Sequence, residues 1–516
     1  MRNTPRLSLV AIFLFILIES VSAQLIYIPS NDPIVSQIEE LQVRGYLSDL
    51  SETEKPWLVS DVEAAVAKEE ISFDPLAKAL AVKILRRLNP PQREQSNQLS
   101  AAFVGGLGLR ALSREKNNGY FYQRDILIDR GYSNEFGSVY KAGFWLSRES
   151  HWGWDTELIF DSDGTRYPWY FGTAHTGHII GQFDHAYLTL KLDRFGLLFG
   201  RERLVWGPSP RGSILLDDSS PPLDMIGYNF ALKPFHLSGF GARLDDYVDP
   251  STGVSNRRYL TGHRLIIKPG KEWEIGLSEI YVYGGPQRLP ELYYSIPIVL
   301  YYWEAQNHKV DDNAFWGLDI AWTKKGLGRF YTQFNADDIQ RQHRGPQKFA
   351  MQFGTYLIPD ELPGWSGIFE LNIIDTYVFG QRKRYNAYLD WGWPMSRLDS
   401  DQREYFAGVY KRLGSDLRIG AEFVGRDKGQ YDAADIQPGM APFGIKFPSG
   451  VVEWTRQLGL AADWQTINGF NAHIAAGYQS VTNFRHQPGA SPGQLYAQLQ
   501  LSYDFSLGLP FWTKFQ

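Results

Sequence analysis

Arg201, Glu202, Arg203, Trp206 and Arg211 crowd into one short stretch, with Gly207 and Pro208 shaping a turn between the last two. An indole offers a flat apolar face on which a sugar ring can rest, and a guanidinium fork meets a carboxylate at two points at once. The mixture suits a glycan, above all an acidic one, so the stretch is expected to form part of a glycan-contacting or lumen-constricting surface. The plainer use of the same residues is structural, with Arg201 and Glu202 as a salt-bridge network holding a wall and Trp206 as an interfacial aromatic. A second cluster, Arg382-Lys383-Arg384, stands beside a strand start at Tyr385. On an external loop it would attract lipopolysaccharide phosphates or an acidic polysaccharide, with a strength that salt screens; the bland alternative is a solvated charge run.

Catalysis finds less support. His175 and His178 have H-x-x-H spacing but sit in a Gly/Thr-rich loop without a convincing third ligand, so no metal is expected. Gly106-Leu107-Gly108 lies in a strand, away from the strand-to-helix turn that a phosphate requires. No spacing of serine, histidine and carboxylate assembles a nucleophile with its base. The expectation is a binding protein with no catalytic residue and no cofactor.

The compartment follows from the first residues. Arg2 and Arg6 precede an apolar run from Leu7 to Ile18, and Val21-Ser22-Ala23 supplies a small-residue cleavage pattern, so residues 1–23 read as a signal peptide cut after Ala23. The run falls well short of the roughly 20 residues of a spanning helix. No cysteine follows, which removes a lipoprotein anchor and leaves stability to backbone hydrogen bonding and packing. Losing Arg2, Arg6 and Glu19 leaves 50 basic residues against 56 acidic ones, which argues against nucleic acid as a partner.

The elements that position these residues are strands. The chain carries 29 Tyr, 31 Phe, 16 Trp and 49 Gly at slightly polar mean hydropathy, and its best later apolar run, Ile296 to Trp303, is too short to span. That is the composition of a transmembrane barrel, whose strands alternate lipid-facing and lumen-facing side chains. Leu495, Ala497, Leu499, Leu501, Tyr503 and Phe505 share one face of the last clear strand; Trp316, Leu318, Ile320 and Trp322 share a face of another, as do Leu417, Ile419, Ala421 and Phe423. Roughly 16 to 20 such strands of about ten residues recur, enough to enclose a water-accessible lumen as porins do. Arg110, Asp319, Glu370, Arg418 and Glu422 are candidate inward residues.

Ahead of the strands, residues 24–99 read as a small helical domain. Asp32-Pro33 opens a helix carrying Ile34, Ile38 and Leu41, with Gly45 at its left-handed end; Ser60 and Glu63 form a capping box; Asp74-Pro75 starts a third helix that Asn89-Pro90-Pro91 stops. The barrel occupies residues 100–516.

Gly200-Arg201-Glu202-Arg203, Trp206-Gly207-Pro208, Gly212-Ser213-Ile214-Leu215-Leu216 and Pro222-Leu223-Asp224 together resemble the central signature of the Wzi capsule assembly family. Gly262-His263-Arg264-Leu265, Asn335-Ala336-Asp337-Asp338, Pro346-Gln347-Lys348 and Ser449-Gly450-Val451-Val452-Glu453 extend the resemblance over nearly the whole mature chain. It implies an all-β transmembrane barrel of about 18 antiparallel strands with a small N-terminal α-helical domain, placed in the outer membrane as a lectin-like protein that helps attach capsular polysaccharide. The partners are then capsular or other surface polysaccharide and lipopolysaccharide or outer-membrane lipid, with a monomer as the expected state. A porin-like channel and an envelope scaffold are the alternatives.

Overall fold

The computed structural model describes residues 24–88, 100–114, 134–148, 151–162, 164, 170, 172–173, 176–296, 299–310, 312–337, 348–435 and 446–509. The signal peptide and its cleavage after Ala23, the boundary around residues 90–99, His175 and Pro346-Gln347 lie outside them.

Eighteen strands close into an antiparallel barrel. In chain order they are β1 (Ser100–Arg114), β2 (Asn134–Arg148), β3 (Trp152–Asp161), β4 (Ile180–Leu192), β5 (Phe195–Glu202), β6 (Leu223–Leu232), β7 (Phe235–Arg243), β8 (Ser255–Ile267), β9 (Trp273–Pro286), β10 (Asn313–Lys324), β11 (Gly328–Asp337), β12 (Phe349–Leu357), β13 (Trp365–Ile374), β14 (Gln402–Leu413), β15 (Leu417–Lys428), β16 (Glu453–Gln465), β17 (Phe470–Thr482) and β18 (Gly493–Gly508). β18 closes on β1 from Tyr496↔Arg114 to Gly508↔Ala102, so every strand has two neighbours and no edge is left open. Short turns such as Asp193-Arg194 and Lys233-Pro234 join strands at one end and long connections at the other; we call these the turn end and the loop end.

The expected alternation holds over most of the wall. Leu458, Leu460, Leu495, Phe199 and Ile226 point outward and are exposed, and Trp154, Trp273, Trp365 and Trp464 ring the turn end as an aromatic girdle. Inward, Arg110 pairs with Asp161, Arg418 with Asp463, and Glu422 accepts from Tyr410. Gly200 sits in β5 at φ +138°, where a Cβ would drive into the Ala186 carbonyl oxygen. Gly200→Ala is expected to cost about 1–3 kcal/mol through forced backbone strain, seen as a lower urea midpoint of unfolding.

Among the described residues three α-helices precede the barrel: α1 (Ile34–Val43), α2 (Val59–Glu69) and α3 (Pro75–Leu88). α1 and α3 begin as expected, because the Asp32 carboxylate accepts the Ile34 N–H at 2.8 Å and Asp74 accepts that of Ala77 at 2.7 Å. Gly45 takes φ +84°. The capping box at Ser60 does not form. α2 starts two residues earlier, with Leu58 at the cap position, and the amides of Val59 and Ser60 donate to the backbone carbonyls of Ile26 and Gln24, so the strand-like segment after residue 23 does the capping.

The helices pack on one another through Ile38, Leu41, Val62, Leu80 and Ile84, and on Ala102 and Trp145 of the barrel. The domain occupies the turn-end mouth. Lys83 reaches Asp416 at 3.0 Å, Gln37 reaches Gln465 at 2.6 Å, Lys268 reaches the Leu50 carbonyl at 2.6 Å, and Arg412 binds Glu40. Hydrogen bonds from Lys233 and Lys68 hold Asp49 down at about 2.

Candidate functional site

The connection between β5 and β6 folds into the lumen. Its residues Val205-Trp206 pair antiparallel with Glu54-Lys55 of the N-terminal domain, and the Gly207 N–H donates to the Thr53 carbonyl at 2.8 Å. The junction is fixed to the wall by Arg264, whose two terminal nitrogens meet both Asp319 oxygens at 2.7 Å and also Ser278 at 2.8 Å and Thr53 Oγ1 at 2.7 Å. Glu274 accepts from Ser51, Glu52 and Thr53 in turn. A peptide entering from the turn end and a loop entering from the loop end therefore meet in the middle.

A second insert, between β13 and β14, packs on the first. Ile214, Leu215 and Leu216 meet Val378, Phe379, Tyr388 and Met395 against inward Leu260, Ile280 and Phe315, all buried. Polar inward positions were expected from alternation; on this side of the barrel the two inserts instead place a buried apolar cluster against the wall, while Arg418, Asp463 and His473 on the other side stay polar and partly accessible.

The structure separates the residues of the Arg201–Arg211 stretch. Arg201 pairs with exposed Asp224 at 2.7 Å across β5 and β6. Arg203 turns inward to Asp184, and Glu202 accepts its N–H. Trp206 is 1% exposed, packed edge-on to Phe240 at 5.4 Å with Arg264 over its ring. It is therefore neither a membrane-interface aromatic nor a ring that a sugar could reach. Arg211 meets Glu404 at 2.8 Å and Glu370 at 3.3 Å, and Arg397 meets the same two carboxylates at 2.7 and 3.2 Å. Two guanidiniums and two carboxylates cancel, so this cluster locks the insert to β13 and β14.

Arg382 and Lys383 stand exposed at the loop end, and Arg384 lies 6.0 Å over the Tyr247 ring. Beside them is a feature that alternation did not mark. Leu389-Asp390 and Trp393-Pro394 form a small hairpin whose central residues, Trp391 and Gly392, have φ of +50° and +73°. This is the twist a two-residue turn needs, but it places a tryptophan where glycine or asparagine is usual, and leaves Trp391 45% exposed at the tip. An available signal was the run Asp390-Trp391-Gly392-Trp393-Pro394, an aromatic against turn-forming residues.

The hairpin is tied to its surroundings by Asp390, which accepts the Asp245 N–H at 3.0 Å while Arg258 bonds Asp245 and the carbonyls of Ala387 and Leu389. Burial pushes the Asp390 carboxyl up to about 7, with Asp245 adding to the rise and Arg258 opposing it. The folded hairpin holds this proton between the ordinary carboxyl value near 4 and about 7. Its contribution is therefore full below that ordinary value and declines as pH rises through 7. Amide exchange over residues 387–395, corrected for intrinsic rates, is expected to be faster at pH 8 than at pH 5, and Asp390→Asn should remove the difference.

Within the wall, a register shift opposite Glu157 turns the consecutive residues Asp184 and His185 to the same inward side. Glu157, Asp184 and His185 bring ligand atoms within 4.8 Å of one another, but each already has a charged neighbour: Lys141, Arg203 and Asp155. His178 is exposed. A cleft of about 670 Å³ opens at the opposite, turn end, lined by Tyr27, Trp57, Lys68, Lys233 and His236.

The family model for capsule assembly protein Wzi matches residues 132–493. Wzi of Escherichia coli, described as an outer membrane protein involved in group 1 capsule assembly and a carbohydrate-binding β-barrel, has a similar structure: the TM-score is 0.62 at 15% identity, over 93% of this chain and 100% of that one. Two Pseudomonas aeruginosa proteins, OccK3 (OpdO) and OprD, give a TM-score of 0.45 at 11% and 9% identity, over 79% of this chain and 96% and 95% of theirs. No curated protein matches the chain.

Proposed function

The chain belongs to the Wzi capsule assembly family, and from that premise we propose that it holds surface polysaccharide at the loop end of its barrel and so assists the assembly or attachment of a capsule. The barrel sits in the outer membrane. Long loops face outward in such barrels and short turns face the periplasm, so Trp391, Arg382, Lys383 and Tyr247 meet the glycan, while the helical domain and the cleft beside it face the periplasm. Residues 1–23 are the export signal, removed after Ala23.

The observation that carries this reading is the pairing of two inserted segments inside the barrel wall. A conduit needs an aqueous path, whereas here the N-terminal peptide and the β5–β6 loop hydrogen-bond to each other inside the wall. Binding then falls to the outer face, through stacking and hydrogen bonds repeated along a polymer, where avidity multiplies a weak single contact. The chain acts as a binder and anchor, without a chemical step.

Two measurements on the intact protein test it. We expect saturable binding to the host's own surface polysaccharide, together with conductance near baseline in a planar bilayer. Large stable conductance without glycan binding would make the protein a channel and leave the family likeness as a guide to fold.

A further inference from the structure

On one side of the barrel the polar residues face the wrong way. Arg264 and Ser278 point into the lumen, so their neighbours Thr261, His263, Glu279 and Tyr281 face outward, where a barrel wall meets lipid. His263, Glu279 and Trp316 are in register across β8, β9 and β10, with His263 Nε2 3.2 Å from Glu279. Glu279 lies six residues above Trp273, which stacks on Trp322 in the turn-end girdle at 5.7 Å. A tilted strand rises about 15 Å over that distance, inside an apolar band about 25 Å tall. A carboxylate bare to hydrocarbon at that depth would be costly.

It is not bare. The described residues of the connection between β9 and β10 lie against the outside of the barrel. Its helix α4 (Tyr301–His308) sets the Tyr301 and Tyr302 N–H groups on Glu279 at 2.8 and 2.9 Å, joined by Trp316 Nε1 at 3.1 Å. Thr261 donates to the Tyr294 carbonyl at 2.7 Å, and the Tyr301 ring lies 4.3 Å from His263. Tyr281, Tyr283, Tyr294 and Tyr301 complete a buried layer between flap and wall. The other side of the flap is mainly apolar: Leu289, Leu292, Ile296, Leu300 and Trp303 are all exposed, Leu292 at 85%, with Ser295 exposed among them. Past Trp303 the exposed residues become Gln306, Asn307, His308 and Lys309.

We propose that this flap is a membrane-embedded surface that takes the acyl chains of outer-leaflet lipid. Its apolar side continues the lipid-facing wall of Leu277 and Leu318, both outward and exposed, and its polar end lies at the headgroup boundary, as an interfacial helix does. The inference rests on the outer-membrane placement and is independent of the glycan reading.

The chain has no cysteine, so Leu292→Cys and, separately, Trp303→Cys each create a unique site for a spin label in the full protein reconstituted in lipid vesicles. Leu495→Cys, on the exposed wall far from the flap, sets the hydrocarbon scale. We expect both flap labels to be relaxed by molecular oxygen, which concentrates in hydrocarbon, several-fold more than by a water-soluble nickel chelate. The reverse order would place the flap in water and overturn the proposal. Shielding from both agents would also overturn it, by showing that a second protein surface covers the patch.

Discussion

Arg264→Ala is expected to lower the stability of the folded barrel by about 3–5 kcal/mol, because it strands Asp319 as a buried, uncompensated carboxylate. Both side chains are fully buried, and Arg264 touches the wall strand β10, the wall residue Ser278 and the N-terminal peptide at Thr53 together. The loss should appear as a lower urea midpoint in detergent. It should be accompanied by faster proteolysis of residues 24–88, since the lumen junction loses its anchor. Replacing the pair together, Arg264→Met with Asp319→Leu, removes both charges and should restore most of the stability, because the desolvation cost of a buried ion pair offsets much of its attraction. A double variant as unstable as the single one would mean that the Thr53 and Ser278 hydrogen bonds, and not the orphaned charge, carry the effect.

The walls of this protein were legible in its sequence and the contents of the lumen were not, for a physical reason. Side-chain direction in a strand repeats with period two, so Trp316, Leu318 and Ile419 could be assigned to lipid and Asp319 and Arg418 to the lumen before any coordinates. The caps at Asp32 and Asp74 were equally local. Loops have no period. Trp206 has the neighbours a glycan site would want, Arg203 and Arg211, yet it is closed off because the β5–β6 loop turns inward onto residues more than a hundred positions away. The run Ile296 to Trp303 is too short to span, and composition alone does not show that it lies against the outside of the wall. Where the period itself breaks, at the bulge of Asp184 and His185, alternation sends one of the two to the wrong face. The capping box expected at Ser60 fails for the same reason: a segment that becomes a neighbour only after folding supplies the bonds.

Trp206 lies buried inside the wall and Trp391 stands exposed at the loop end, so the two should answer differently to substitution. Trp391→Ala should weaken polysaccharide binding about tenfold, the effect of removing one exposed aromatic anchor, with little change in stability. Trp206→Ala should do the converse: a cavity of indole size beside Phe240 costs about 3–5 kcal/mol, while the molecules that remain folded bind glycan as before. Trp391 holds a left-handed backbone, so alanine alters strain as well as surface. Trp391→Asn, which tolerates that backbone, removes the ring alone and should match the alanine variant. Arg382→Ala with Lys383→Ala should weaken binding to an acidic glycan at low salt and matter little at high salt, where exposed charge is screened. If glycan affinity follows Trp206 and ignores Trp391, the binding face lies on the lumen insert, and the loop-end hairpin is a structural clasp.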